Sequence, residues 1–173
     1  IGTVHFTQQV TAYTPAEMSG EYDIIFLMTK QQHNAEVVAM LKDYLAADGV
    51  LVTFQNGLPE VEIAEVLGQQ RVLGCTVAWG ATMQGAGVCE LTSSPDALSF
   101  SLGSISTNRS KHFAKVKQLL ELMGEVDVED NFIGIGSTRK VYKYNDMVIK
   151  RFLHPIGYKQ GINEQYMYDF LEK

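Results

Sequence analysis

The sequence predicts an α/β protein: an incomplete parallel sheet with flanking helices, followed by a short β-hairpin plus helix segment. Three observations lead there. Short apolar runs alternate with amphipathic stretches at a spacing that suits strand–helix–strand units, which build parallel sheets with right-handed crossovers. The 173 residues are 46% apolar and 20% charged, a balance that supports a packed core. From about Asn131 onward glycine and tyrosine become frequent and the helix–strand alternation stops.

The stretch Thr3 to Tyr13 is β-prone and weakly alternating, and reads as an edge hairpin. Asp23 to Thr29 is short, apolar and preceded by a polar Gly20-Glu21 turn, the pattern of a fully buried strand. Asn34 is placed to cap a helix that puts Val37, Val38, Leu41 and Leu45 on one stripe, with Glu36, Lys42 and Asp43 opposite. Asp48-Gly49 breaks that helix, and Val50 to Phe54 follows as a second buried strand. Gln55-Asn56-Gly57 forms a tight turn. Pro59 then suits the first turn of a helix that ends at Gly68, before a third strand over Arg71 to Ala78. Val88 to Leu91 and Leu98 to Leu102 read as shorter, antiparallel additions. Ser110 to Met123 is helical, with Phe113, Val116, Leu120 and Met123 on one face and Gly124 as its stop. Beyond it, Val141 to Tyr144, an Asn145-Asp146 turn and Met147 to Arg151 make a hairpin, and Asn163 to Glu172 a helix with Tyr166, Phe170 and Leu171 inward.

Composition excludes several function classes. A net charge of −6 argues against a nucleic-acid partner, which requires clustered surplus Lys and Arg. The longest strongly apolar run, Ile24 to Met28, is far short of the ~20 residues that cross a bilayer, so no membrane partner is expected. Ile1 to His5 carry no signal-peptide pattern, and the absence of an initiator Met reads as a fragment or a processed product. Cys75 and Cys89 read as reduced core thiols, which points to the cytoplasm. His5, His33, His112 and His154 show no ligand spacing to one another or to the cysteines, so no metal site is expected. No G-x-S-x-G elbow is present.

The candidate site follows from the predicted sheet. Ligands of open parallel sheets sit outside the carboxyl ends of the strands. Thr29-Lys30-Gln31-Gln32-His33-Asn34 follows one strand and Gln55-Asn56-Gly57 the next. A lysine there can reach a phosphate or a carboxylate, an asparagine can bond a ribose, a nicotinamide or a hydroxyl, and a glycine lets backbone approach closely. The same spacing is equally that of a plain turn and a solvated helix start.

Asp23 to Lys30, Val52 to Leu58, Arg71 to Thr76 and Gly87 to Glu90, taken in order, resemble ketopantoate reductase (2-dehydropantoate 2-reductase) over about residues 1 to 130. The lysine ending one strand and the Gln-Asn-Gly ending the next are the specific elements. The resemblance implies a partial NADP-binding Rossmann-like domain over 1–130, a small-molecule 2-keto acid as substrate, and NADPH-dependent reduction on the way to pantothenate. It places Lys30, Asn56, Gly57 and His33 at the cofactor, and Lys30 and Asn56 also at the substrate; His33 falls where family members often carry a glutamine. The family's G-x-G-x-x-G loop and its helical domain with the catalytic lysine have no counterpart here, so no catalytic residue is assigned and weak or absent turnover is expected. A homo-oligomer is one form open to such a chain.

The segment 131–173 is expected as a separate short unit. Gly134, Gly136 and Val141, then Lys150 and Glu164, are similar in order to the start of a protein-kinase-like N-lobe, in which a glycine loop and a strand lysine hold ATP phosphates. Arg139 stands where the third glycine would be. A plain hairpin and helix, or an interaction module, fits the same residues. The break near Phe132 reads as a join of two unrelated genes.

Overall fold

A computed structural model describes residues 4–129 together with the backbone of 132–136, 139–144 and 147–152. Five strands form the main sheet: β1 (Tyr22–Leu27), β2 (Leu45–Thr53), β3 (Val72–Val77), β6 (Ser99–Ser104) and β7 (Glu125–Glu129), in the order β1-β2-β3-β6-β7. β1, β2 and β3 run parallel, linked by α1 (Asn34–Lys42) and α2 (Pro59–Leu67), as the alternation required. β6 is antiparallel to β3, and β7 returns parallel to β6 through α3 (Phe113–Glu121). The sheet is therefore mixed but mostly parallel, the incomplete Rossmann-like sheet expected from the sequence. Between β3 and β6 a hairpin of β4 (Ala81–Gly85) and β5 (Val88–Leu91) stands apart from it.

The two-residue period of a strand splits the core in two. Leu51 and Val72 pack with Leu27, Val38, Leu41, Ile63 and Leu67, the face that α1 and α2 cover. Val50, Val52, Leu73 and Cys75 pack with Phe100, Leu102, Phe113, Val116 and Leu120, the face that α3 covers. Burying each such side chain contributes roughly 1.5–3 kcal/mol. Both helix stops are glycines with a geometric reason. Gly68 takes φ +88° and its N–H donates to the Ala64 carbonyl at 2.8 Å. A Cβ at Gly124 would run into the Leu98 carbonyl, where the chain enters β7 beside β6.

Several expectations need correction. Residues 4–13 form no strand; Val4 and Phe6 are exposed, and a lone alternating stretch with no paired neighbour cannot satisfy its backbone. β1 is only partly buried, with Phe26 41% exposed, because it is the edge strand of the described sheet. α1 stops at Lys42, and Leu45 opens β2 instead of closing the helical stripe. Asp48 and Gly49 lie within β2, where the register against β1 jumps from Tyr22↔Leu45 to Ile24↔Val50. Met123 is exposed because it falls past the end of α3. Cys89 is an exposed thiol, whereas Cys75 is buried in the core and its pKa is pushed up to about 12 by that burial.

The tail contains the expected hairpin and one strand more. β8 (Phe132–Gly136), β9 (Arg139–Tyr144) and β10 (Met147–Phe152) form an antiparallel sheet in the order β10-β9-β8. The Asn145-Asp146 turn, Glu164 and the Asn163 to Glu172 helix lie outside the described residues. Among the described residues no helix is long and apolar enough to cross a membrane.

Candidate functional site at the carboxyl ends of β1 and β2

The parallel register brings the ends of β1 and β2 side by side, and Phe54 N–H extends the ladder by donating to the Leu27 carbonyl at 3.0 Å. The two following loops are then held by one side chain. Gln55 Nε2 donates to the Thr29 carbonyl at 2.7 Å and to Asn34 Oδ1 at 2.8 Å. Its Oε1 accepts from Asn34 Nδ2 at 3.0 Å and from Thr53 Oγ1 at 3.2 Å. Asn34 is only 1% exposed, so this amide-to-amide pair satisfies a group that would otherwise be buried without partners. The predicted capping role for Asn34 does not hold. It is the first residue of α1, preceded by a 3₁₀ turn over Gln31–His33, and its side chain bonds across to Gln55 instead.

Gly57 brings its loop close to Gln31. Gly57 has φ +98°, and a Cβ there would lie 3.2 Å from Gln31 Nε2. The left-handed backbone favours glycine, and the exposed Gln31 amide would have to shift by a few tenths of an ångström for any larger residue. With Gln55 and Asn34 taking the structural hydrogen bonds, Lys30, His33 and Asn56 all stand exposed on the rim. The structure thus carries the four sequence-selected residues to one edge of the sheet, three as exposed side chains and Gly57 as backbone. A groove of about 220 Å³ between α1 and α2, lined by Asn34, Ala35, Val38, Ile63 and Val66 with Glu62 and Glu65, has Asn34 in its wall.

Glu60 was not anticipated. It is the second residue of α2, only 3% exposed, and its Oε2 has no hydrogen-bond partner among the described residues. A helix N-terminus favours a carboxylate. Burial outweighs that here and raises the Glu60 pKa to about 8, a hydrogen bond to its own backbone N–H pulling the other way. The missed signal was its helical spacing: Glu60 lies three residues before Ile63 and seven before Leu67, on the buried face of α2. Gln55 was read as part of a turn. Its complement, an Asn opening the preceding helix, is a long-range pairing that periodicity does not reveal.

The family model described as ketopantoate reductase PanE/ApbA matches residues 2–104. Solved structures share the fold at low identity. The 2-dehydropantoate 2-reductase from Methylococcus capsulatus is 23% identical with a TM-score of 0.54, over 68% of this chain and 37% of that one. The 2-dehydropantoate 2-reductase from Geobacter metallireducens GS-15 is 17% identical with a TM-score of 0.55, over 64% of this chain and 36% of that one. A ternary structure of D-mandelate dehydrogenase with NADH and anilino(oxo)acetate is 20% identical with a TM-score of 0.54, over 68% of this chain and 38% of that one. The chain thus spans well under half the length of these structures. No curated protein matches significantly.

Proposed function

The chain belongs to the ketopantoate reductase family, and from that premise we propose that it serves an NADPH-dependent oxidoreductase acting on a small 2-keto acid, 2-dehydropantoate in the first instance, in the cytoplasm. One observation carries the reading most directly. Gln55 ties the two strand-end loops together with its own side chain and leaves Lys30 and Asn56 facing solvent on a single rim, at the place where parallel sheets take their ligands. When bound, a reduced pyridine nucleotide supplies the hydride that passes to the ketone carbon. The chain's rim residues bind and orient the reactants, and the proton for the ketone oxygen is left to a donor outside them. The Lys30 ammonium offers a counter-charge to a phosphate or substrate carboxylate. The Asn56 amide donates and accepts in the same plane, and Gly57 lets the loop approach closely. The preformed amide pair spares the ligand the entropy of ordering the loops.

Thermal shift with NADPH tests this on the whole chain. NADPH should raise the Tm, and Lys30→Ala and Asn56→Ala should each remove most of that rise while leaving the ligand-free Tm unchanged, because both side chains are exposed. No rise at millimolar NADPH, or a rise that survives both substitutions, overturns the reading.

The backbone of the tail supports a second reading. A meander in the order β10-β9-β8, with Gly134 and Gly136 on β8 and Lys150 on β10 at the register of Val141, is the arrangement a phosphate-covering glycine loop needs. In that reading ATP–magnesium raises the Tm and Lys150→Ala abolishes the rise.

A further inference from the structure

The opposite end of β1 and β2 is built differently. Between Tyr22↔Leu45 and Ile24↔Val50, β1 advances past one residue, Asp23, while β2 advances past four, Ala46 to Gly49. Such a bulge re-aims the side chains it carries. Arg71 clamps it: Nη2 donates to the Leu45 carbonyl at 3.2 Å and the Ala46 carbonyl at 2.7 Å, and Nε to the Gly49 carbonyl at 3.2 Å. Gly49 is required, since a Cβ would lie 2.8 Å from the Tyr22 carbonyl oxygen.

The bulge sets the carboxylates of Asp23 and Asp48 beside His112, the residue before α3. One ligand atom from each of the three lies within 4.8 Å of the others. Two carboxylates this close repel unless a cation joins them. Lys111 supplies one positive charge, but it pairs with Asp48 Oδ2. Asp48 Oδ1 faces His112 Nε2 at 3.8 Å, too long for a hydrogen bond. That Nε2 is buried and has no partner among the described residues, although the imidazole side chain is only 15% exposed. A buried ring nitrogen aimed at two carboxylates is unpaired for a protein group and well placed for a metal.

We propose that Asp23, Asp48 and His112 form a binding site for one first-row transition dication, with Zn²⁺ as the working ion. The donor set selects the class. Imidazole beside carboxylates suits Zn²⁺ and its neighbours, whereas Mg²⁺ and Ca²⁺ favour oxygen alone and Cu(I) favours sulfur. Zn²⁺ bonds to nitrogen and oxygen at ~2.1 Å set tetrahedral ligands about 3.4 Å apart. Asp23 and Asp48 are exposed and can rotate to close that difference around the half-buried imidazole, Asp48 giving up its pair with Lys111. The ion staples β1, the β2 bulge and the start of α3 together. It lies away from the rim, about six residues down β1 at ~3.3 Å each, so it is independent of the proposed reductase chemistry, and with three protein ligands its fourth position is left to water. Sequence spacing could not show it, because the three ligands come from three separate elements.

Titration calorimetry of the chelator-treated full chain with ZnCl₂ tests the site, with Co²⁺ absorption as a spectroscopic readout of the ligand set. One saturable ion in the micromolar range is expected, together with a rise in Tm. Asp23→Asn and His112→Gln should each weaken binding at least tenfold and change the Co²⁺ bands. Lys111→Met, which removes a competing cation, should tighten it several-fold. Asp23 is exposed, so its variant decides the question even if His112→Gln fails to fold. Absence of saturable binding overturns the proposal. So does binding that survives Asp23→Asn, or that is abolished by Cys89→Ser, which would place the ion on the exposed thiol.

Discussion

The two ends of β1 and β2 solve the same problem with different chemistry. At the carboxyl end, neutral amides do the holding: Gln55 and Asn34 satisfy each other, and the charged and polar side chains are left to solvent. At the amino end, a guanidinium fastens three backbone carbonyls and the exposed carboxylates gather around a half-buried imidazole. Neutral amide pairs hold geometry with little dependence on pH or salt. Charge clusters hold geometry conditionally, since screening and protonation both act on them. If the carboxyl end takes the anionic ligand proposed above, the first arrangement suits it, because the amides and not Lys30 hold the loops.

The sharpest way to break that contrast is at Arg71. Arg71→Met keeps the aliphatic stem and strips three donors from the carbonyls of Leu45, Ala46 and Gly49. Hydrogen bonds from charged groups contribute ~1.5–3 kcal/mol each, and these share one guanidinium, so a loss of about 4 kcal/mol is expected in urea unfolding. A loss below about 1 kcal/mol would mean that the bulge holds itself.

Glu60 gives the next largest effect and tests whether the rim is indifferent to pH. Its folded pKa of about 8 lies above the 4.5 of an ordinary glutamate, so the folded chain keeps this proton longer than the unfolded one. The stabilising contribution is complete below the unfolded value and falls as pH rises toward 8. Between pH 5 and pH 8 the fall is about 3.5 kcal/mol. In Glu60→Gln that slope should vanish, whatever constant offset the amide introduces. Parallel unfolding curves at pH 5 and pH 8 for both proteins read it directly, and equal slopes would show that Glu60 finds a partner in solution.

What the sequence made legible follows physical range. The parallel order β1-β2-β3, the Pro59 start and Gly68 stop of α2, and the inward Phe113, Val116 and Leu120 of α3 are all local periodicity or punctuation. β7 escaped because Glu125-Val-Asp-Val-Glu129 is acidic and half exposed, and it joins the sheet only through its pairing with β6. β4 escaped because all five of its residues are exposed. The bulge escaped because Asp48-Gly49 has the same composition whether it ends a helix or bends a strand. At the rim, residue type and strand end put Lys30, His33, Asn56 and Gly57 on the two strand-end loops, and the structure has them there, exposed. Gln55 as the tie, Asn34 as its mate and Glu60 as a buried acid depend on contacts between elements, which no single segment encodes.

A smaller effect is expected at Gln55. Gln55→Ala removes five hydrogen bonds, the longest to Thr29 Oγ1 at 3.5 Å, and leaves the buried Asn34 amide without its partner. The loss should be about 2 kcal/mol, since the exposed Thr29 groups can turn to water while the buried Asn34 and Thr53 side chains cannot. The NADPH-induced rise in Tm should also shrink, because unfastened loops must be ordered by the ligand. A Gln55→Ala protein that loses stability yet keeps the full NADPH shift would separate the scaffold from the ligand rim.

The smallest effect belongs to Lys111, and it probes the amino end from outside. Its ion pair with Asp48 joins two side chains that are 63% and 57% exposed. Water screens such a pair, and ordering two mobile side chains offsets most of the attraction. Lys111 is nevertheless the main reason that the Asp48 carboxyl titrates below the ordinary aspartate range. Lys111→Met should therefore change the Tm only slightly in dilute buffer and not at all in molar salt, whereas Arg71→Met should lose the same stability in both. If Lys111→Met instead matched Arg71→Met, the amino end would be held by its surface charges, and the guanidinium clamp would be a bystander.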